Sequence, residues 1–267
     1  MKNAKIAYAL SYLWRSWFWL GCWIFYYLKF TDYAGIGLLE TVMITTATLG
    51  EVPTGAIADV VGKKWAVMLA FILGAGGNLI MALAPNYWVL LSSIVMMTLG
   101  GAFYSGSLQA LVYDSLKEEG KEEKYDKVIG RMGSMENLGM AVAAITGGYL
   151  YTLNNSLPFL LVAGAYLLGL VVSLKLQEPK LDTEKYSWKE FFKQNQQEFS
   201  QLFVNKRTAW IVLILLIPGM YMVGTEIVQE KQKEGASIIV ISHYAKSLAD
   251  LKVSRFWKSN NGRIQTG

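Results

Sequence analysis

Six runs of mostly apolar residues, each near the roughly 20 residues a helix needs to cross a hydrocarbon core, follow one another along the chain: 6–30, 35–60, 65–84, 88–116, 128–153 and 159–176. In lipid each run must satisfy its own backbone polar groups, and a helix does so. Pro85 stops the third run, and the fourth exceeds a minimal span, which predicts tilt. A seventh run, 208–227, holds Pro218 and Gly219. With 53% hydrophobic and 17% charged residues, the composition is that of a membrane protein. The prediction is an all-α polytopic membrane protein. It has a six-helix bundle over 1–176, a linker over 177–207, a seventh transmembrane helix over 208–227 and a short soluble α/β tail over 228–267. The N-terminal MKNAKIAYALSYLWRSW reads as a retained first helix, because Arg15 interrupts its apolar core and no small-x-small cleavage site follows promptly. One cysteine, Cys22, excludes an intramolecular disulfide and a cysteine-built metal site.

Basic residues set the orientation. Lys2 and Lys5 precede the first run, Lys63 and Lys64 follow the second, and further clusters lie within 117–131 and 175–207. The opposite side carries Lys29 alone. Short loops rich in lysine and arginine stay inside, so the chain is expected to be a multi-pass protein of the plasma (cytoplasmic) membrane with its N-terminus in the cytoplasm. This asymmetry accounts for most of the net charge of +5 without invoking nucleic acid. Within the linker, Trp188, Phe191, Phe192, Phe199, Leu202 and Phe203 fall near helical spacing among Lys, Glu, Gln and Asn. That pattern predicts an amphipathic helix on the cytoplasmic membrane face or against the bundle ends.

Ionisable groups inside a bilayer are costly and usually face the bundle interior. Arg15, Glu51, Gln109 and Glu136 lie seven to nine residues from the cytoplasmic ends of runs one, two, four and five. At about 1.5 Å per residue they share a level roughly 10–14 Å deep. Runs three and six have no ionisable residue in their apolar cores. This matches a 3+3 inverted repeat whose third helices face lipid. One reading makes the four residues a polar layer lining a substrate cavity. The other makes Arg15 and Glu51 a structural ion pair locking two helices. Glu136 has no evident basic partner in the first six helices, which marks it as the candidate protonatable coupling site.

Between runs two and three the chain reads GAIADVVGKK, residues 55–64, preceded by EVPTG. Glycine supplies a tight turn and the lysines mark its side. An ATP-binding loop needs four residues between its glycines and Ser or Thr after the lysine. Here six residues separate Gly55 from Gly62, and Lys64 follows Lys63. At Gly55, Ala58, Asp59, Gly62, Lys63 and Lys64 the stretch resembles the loop signature of the major facilitator superfamily, between that family's second and third helices. The preceding EVPTG and YDSLKEEGKEEKYDKVIGR further on are similar to one branch of the family, and the likeness covers about residues 6–227. The resemblance implies a linker between two six-helix halves and a gating role for Asp59 against a helix of the second half; read from the sequence alone, Asp59 is equally a solvated residue at a helix end. Residues 139–148, GMAVAAITGG, resemble the family's antiporter motif, but Ala143 and Ala144 stand where that motif has glycine and proline. Gly139, Gly147 and Gly148 then read as sites of close helix packing. Thr98, Gly100 and Gly101 occupy the region where proton-coupled drug exporters carry an arginine.

The tail changes character. SIIVIS, residues 237–242, is a continuous β-branched run, and His243 follows it. KEGASIIVISHY with the later NNGRIQTG resembles the end of an ABC-type ATPase domain, in particular the iron–sulfur assembly ATPase subunit, with His243 at the switch histidine. The chain shows no phosphate-binding glycine loop, so no ATP binding is expected. Two functions follow. One is a secondary active transporter moving a small molecule or ion by alternating access, present as an N-terminal half plus one helix. The other is a non-transporting truncated or fused product, or a membrane partner module. The expected partners are the substrate, the lipid bilayer and, to complete a cavity, a second half-transporter chain. No enzyme activity, catalytic residue, cofactor, metal or nucleic acid is implied.

Overall fold

A computed structural model describes residues 2–179, all helical or irregular, with no strand among them. Eight α-helices follow in order: α1 (Lys2–Trp14), α2 (Trp23–Tyr27), α3 (Tyr33–Val61), α4 (Lys63–Ala82), α5 (Tyr87–Tyr104), α6 (Ser107–Glu118), α7 (Tyr125–Leu153) and α8 (Leu157–Ser173). A 3₁₀ turn, Glu122–Lys124, leads into α7. By length and composition, Lys63–Ala82 and the joined stretch Tyr87–Glu118 can each cross a membrane, and Leu157–Ser173 is a shorter apolar helix. The expected amphipathic linker helix, seventh helix and α/β tail lie outside the described residues.

Local chemistry explains where the helices start and stop. Asp32 Oδ1 accepts from Gly35 N at 2.9 Å, and Asn86 Oδ1 accepts from Val89 N at 3.1 Å. Each side chain thereby satisfies an N–H that its helix leaves open at the N-terminus. Pro158 occupies the first turn of α8, where its missing N–H costs nothing. Gly62, at φ 108°, closes α3 and opens α4 with no residue between. Pro53 sits inside α3 and removes one helical donor. Beside it, the Thr54 hydroxyl donates to Gly50 O at 2.8 Å and approaches Ala102 O of α5 at 3.2 Å.

The helices pack around α4, which lies against α5 and α8, while α1 lies against α7 and α3 against α5. Two apolar clusters form the core. One surrounds Phe71, Trp14 and Tyr166 in the middle of the bundle. The other gathers Tyr26, Leu39, Met81, Leu90 and Phe159 at the end farthest from the Gly62 turn. The α4–α5 seam is tight: a Cβ on Gly100 would press on the backbone of Ala70 and Gly74. Outward, Ile72, Leu79, Leu167, Leu168 and Val171 are exposed, the surface expected of helices bathed in lipid.

Two expected spans are not continuous. The run 6–30 is helical only as far as Trp14, turns irregularly, and resumes as α2. The run 88–116 divides at Ser105-Gly106 into α5 and α6. The lysine-bearing stretch after the fourth run is mostly structured: α6 reaches Glu118, a 3₁₀ turn follows, and α7 begins at Tyr125.

Candidate functional site

The two interruptions meet. At the first, Trp14 leaves its carbonyl without a helical donor, and the Tyr166 hydroxyl of α8 donates to it at 3.0 Å. The same hydroxyl accepts from Trp17 Nε1 at 3.0 Å, so one tyrosine bridges both sides of the break. Ser16 Oγ donates back to Tyr12 O at 2.8 Å. On the other side α7 offers Gly139 and Gly147, which face Tyr12 O and Phe18 O so closely that a Cβ on either would overlap that oxygen. Irregular backbone inside a membrane is tolerated where protein buries it or a cavity solvates it, and these contacts supply that burial. Gly148, expected to share this packing role, has nothing within 4 Å of a Cβ position and is exposed.

The second interruption turns on Gly106, at φ 76°, a conformation that suits glycine. Tyr104, two residues before it, stacks on Trp14 with ring centroids 4.0 Å apart and planes at 7°. That stack holds the two breaks together. Between them opens a cavity of about 590 Å³.

Arg15, Glu51, Gln109 and Glu136 all line this cavity. Glu51 and Gln109 are exposed within it, and Arg15 and Glu136 are half-buried. The Arg15 guanidinium lies 4.2 Å above the Trp17 ring, a favourable cation–π geometry. Among the described residues no ion pair joins Arg15 to Glu51, contrary to the expected lock between the first two runs. Instead Arg15 lies within electrostatic range of Glu136, so Glu136 does have a basic neighbour that spacing alone concealed. The α1 break swings the arginine toward α7.

The third and sixth runs also reach the cavity, which corrects the expectation that they only face lipid. Asn78 of α4 and Tyr166 of α8 both line it. Asn78 is fully buried; its amide donates to Gly74 O at 2.8 Å, and its Oδ1 has no partner. Counting only ionisable residues overlooks it, although it is the only polar residue of α4 beyond the two lysines.

The GAIADVVGKK loop lies elsewhere: none of its six signature residues lines the cavity. Gly55 and Asp59 are exposed and Ala58 is buried. Lys63 Nζ forms an ion pair with Asp114 of α6, both side chains mostly buried. Glu178 was missed by sequence reading, being assigned to the polar linker. Its carboxylate accepts from Lys63 N at 2.7 Å and Lys64 N at 2.8 Å, capping the first turn of α4. Asn3 clamps the same segment, donating to Gln177 O at 2.7 Å and accepting from Gln177 N at 3.0 Å.

An apolar helical bundle with Arg15, Glu51, Gln109 and Glu136 lining a cavity between interrupted helices has the makings of an integral membrane protein. The Major Facilitator Superfamily model matches residues 6–242, and the chain belongs to that family. The match continues past the seventh run into the stretch read as soluble tail, and of that tail residues 243–267 lie beyond it. The chain is 24% identical over 208 residues to the uncharacterized MFS-type transporter YxaM of Bacillus subtilis (strain 168), covering 74% of this chain and 49% of that one. It is 24% identical over 160 residues to the quinolone resistance protein NorA of Staphylococcus aureus (strain Mu50 / ATCC 700699), covering 59% and 40%. The chain thus spans about half the length, or less, of these curated relatives. A point variant of the nucleoside transporter NupG superposes with a TM-score of 0.64 at 19% identity, over 86% of this chain and 57% of that one. The fold is that of transporters rather than enzymes.

Proposed function

We propose that the chain forms one wall of a secondary active transporter that moves a small molecule by alternating access. The observation that carries this is the convergence of Arg15, Glu51, Gln109 and Glu136 on one cavity, into which both helix interruptions open. Discontinuous helices at a midplane site are a recurrent way to bind substrate and coupling ion in such proteins. In this reading the six runs form a 3+3 inverted repeat with the N-terminus cytoplasmic, and the domain boundaries are those read from the sequence. A second six-helix half, in the same polypeptide or a second chain, supplies the facing wall. Glu136 takes up and releases the coupling proton, its charge balanced against Arg15. The loop at Gly55, Ala58, Asp59, Gly62, Lys63 and Lys64 controls closure on the cytoplasmic side. Residues 228–267 carry a likeness to the end of an ABC-type ATPase domain, with His243 as its mark.

The test is solid-supported-membrane electrophysiology on the chain reconstituted together with its facing six-helix half, scanning a panel of small organic solutes under a proton gradient. At least one solute should give a transient current that Glu136→Gln abolishes. A silent panel would contradict the reading, as would currents indifferent to Glu136.

A further inference from the structure

The Arg15 guanidinium rests 4.2 Å above the Trp17 ring, and its Nε, though buried, has no hydrogen-bond partner. Among the described residues no ion pair holds it either. A long side chain held by one ring face goes where that ring goes. Whatever fixes Trp17 therefore fixes Arg15.

Trp17 is fixed from α8. The Tyr166 hydroxyl accepts from Trp17 Nε1 at 3.0 Å and donates to Trp14 O at 3.0 Å. One hydroxyl thus ties down the residue before Arg15 and the second residue after it. The tyrosine ring is itself immobilised. It is buried, lies parallel to Trp14 with centroids 4.8 Å apart, and meets Phe71 edge-on at 5.8 Å. It also fills the space over Gly74, where a Cβ would overlap it. Removing only the hydroxyl would keep this packing and strand Trp14 O and Trp17 Nε1. Buried polar groups without partners are costly. Both residues line the cavity, so the stranded groups would turn toward it and carry Arg15 with them.

We propose that Tyr166 is a positioning residue whose hydroxyl, acting through Trp14 and Trp17, aims the Arg15 guanidinium at Glu136. The inference rests on the transport reading above, in which those two residues handle the coupling proton. It gives the sixth run a part in that step. The other titratable side chains lining the cavity are Glu51 of α3 and Tyr104 of α5, while α4 and α6 contribute the neutral Asn78 and Gln109. Arg15 is the sole cation on the cavity wall, so its position decides how strongly the Glu136 charge is balanced.

The test is infrared difference spectroscopy on the purified full chain, stepped in pH. The protonated-carboxyl band that Glu136→Gln removes reports Glu136. A nearby cation favours the carboxylate, so with Arg15 removed or displaced the proton stays on to higher pH. Arg15→Gln should move the midpoint of that band upward. Tyr166→Phe should move it the same way by about one pH unit, the low end of what a close opposite charge does. Adding Tyr166→Phe to Arg15→Gln should change the midpoint no further. Glu178→Ala, which loosens the cytoplasmic loop away from the cavity, should leave the midpoint alone and so separates positioning from mere loss of stability. A Tyr166→Phe midpoint equal to the parent's, or a shift that persists in full without Arg15, overturns the role of Tyr166 and leaves Glu136 standing as the proton site. If no band responds to Glu136→Gln at any pH, the proton-site reading fails and takes this inference with it. Should Tyr166→Phe not fold, Trp17→Phe keeps a ring beneath Arg15 and deletes the indole N–H; a smaller upward shift is expected, and none would overturn the inference.

Discussion

Gly147→Ala and Gly148→Ala, one residue apart on α7, should move stability in opposite directions. Both replace a helical glycine, and alanine gains about 1 kcal/mol of helix propensity. Gly148 is exposed, and an added Cβ there has nothing within 4 Å, so it should keep that gain. Gly147 is buried and its Cβ would overlap the backbone oxygen of Phe18. Overpacking costs about 1–3 kcal/mol. Here the upper end applies, because the obstacle is a carbonyl in the irregular segment after Trp14 rather than the movable tip of a side chain. The expected order is Gly148→Ala about 1 kcal/mol above the parent chain and Gly147→Ala about 1–2 kcal/mol below it. For a chain of this size about 2–4 °C corresponds to 1 kcal/mol, so the two variants should melt roughly 4–12 °C apart. Fluorescence-detected size-exclusion chromatography after graded heating in detergent measures this. Equal melting, or Gly147→Ala the more stable, would refute the packing of the first interruption against α7.

Three further outcomes are expected. Glu178→Ala should lower stability by about 1–2 kcal/mol, the scale of a lost N-cap, with Glu178→Gln intermediate; a melt indifferent to both would remove the cap from the account. Lys63→Ala should destabilise more than Lys121→Ala. The Lys63–Asp114 side chains are 13% and 15% exposed, against 39% and 32% for Lys121–Glu119, and exposed pairs contribute little; the two melts, compared directly, check the order. Asn78→Leu should leave stability unchanged or raised, since it removes a buried acceptor without a partner. A loss of stability would mean that the Asn78 side chain, whose amide donates to Gly74 O, serves the packing of α4.

Much of this arrangement is legible in the sequence, for a simple reason. Charges inside apolar runs are conspicuous, so Arg15, Glu51 and Glu136 stand out, and helical rise alone puts them at one level. The breaks are harder to see. Nothing near Arg15-Ser16 signals a helix end locally, with neither proline nor glycine until Gly21. The end is stabilised by groups far along the chain, the Tyr166 hydroxyl and the α7 glycines. Gly106 was visible, but it follows Gly100 and Gly101 in a run that reads as one long span. Its positive φ emerges only with the Trp14–Tyr104 stack. Glu178 lies two residues past the sixth run, and its role depends on α4 starting without a loop after Gly62. Asn78 shows a narrower lesson: a neutral amide in an apolar helix marks the inner face as firmly as a charge does.

The central claim is that the cavity between the two interrupted helices opens to water and changes the side from which it does so. The most direct measurement is the alkylation rate of Gln109→Cys, in a Cys22→Ala background and with the facing six-helix half present, by a membrane-impermeant thiol reagent applied to each face of sealed vesicles under opposed proton gradients. The account predicts reaction from both faces, with the faster face exchanging when the gradient is reversed. Reaction from neither face, or from one face at a rate indifferent to the gradient, would contradict it.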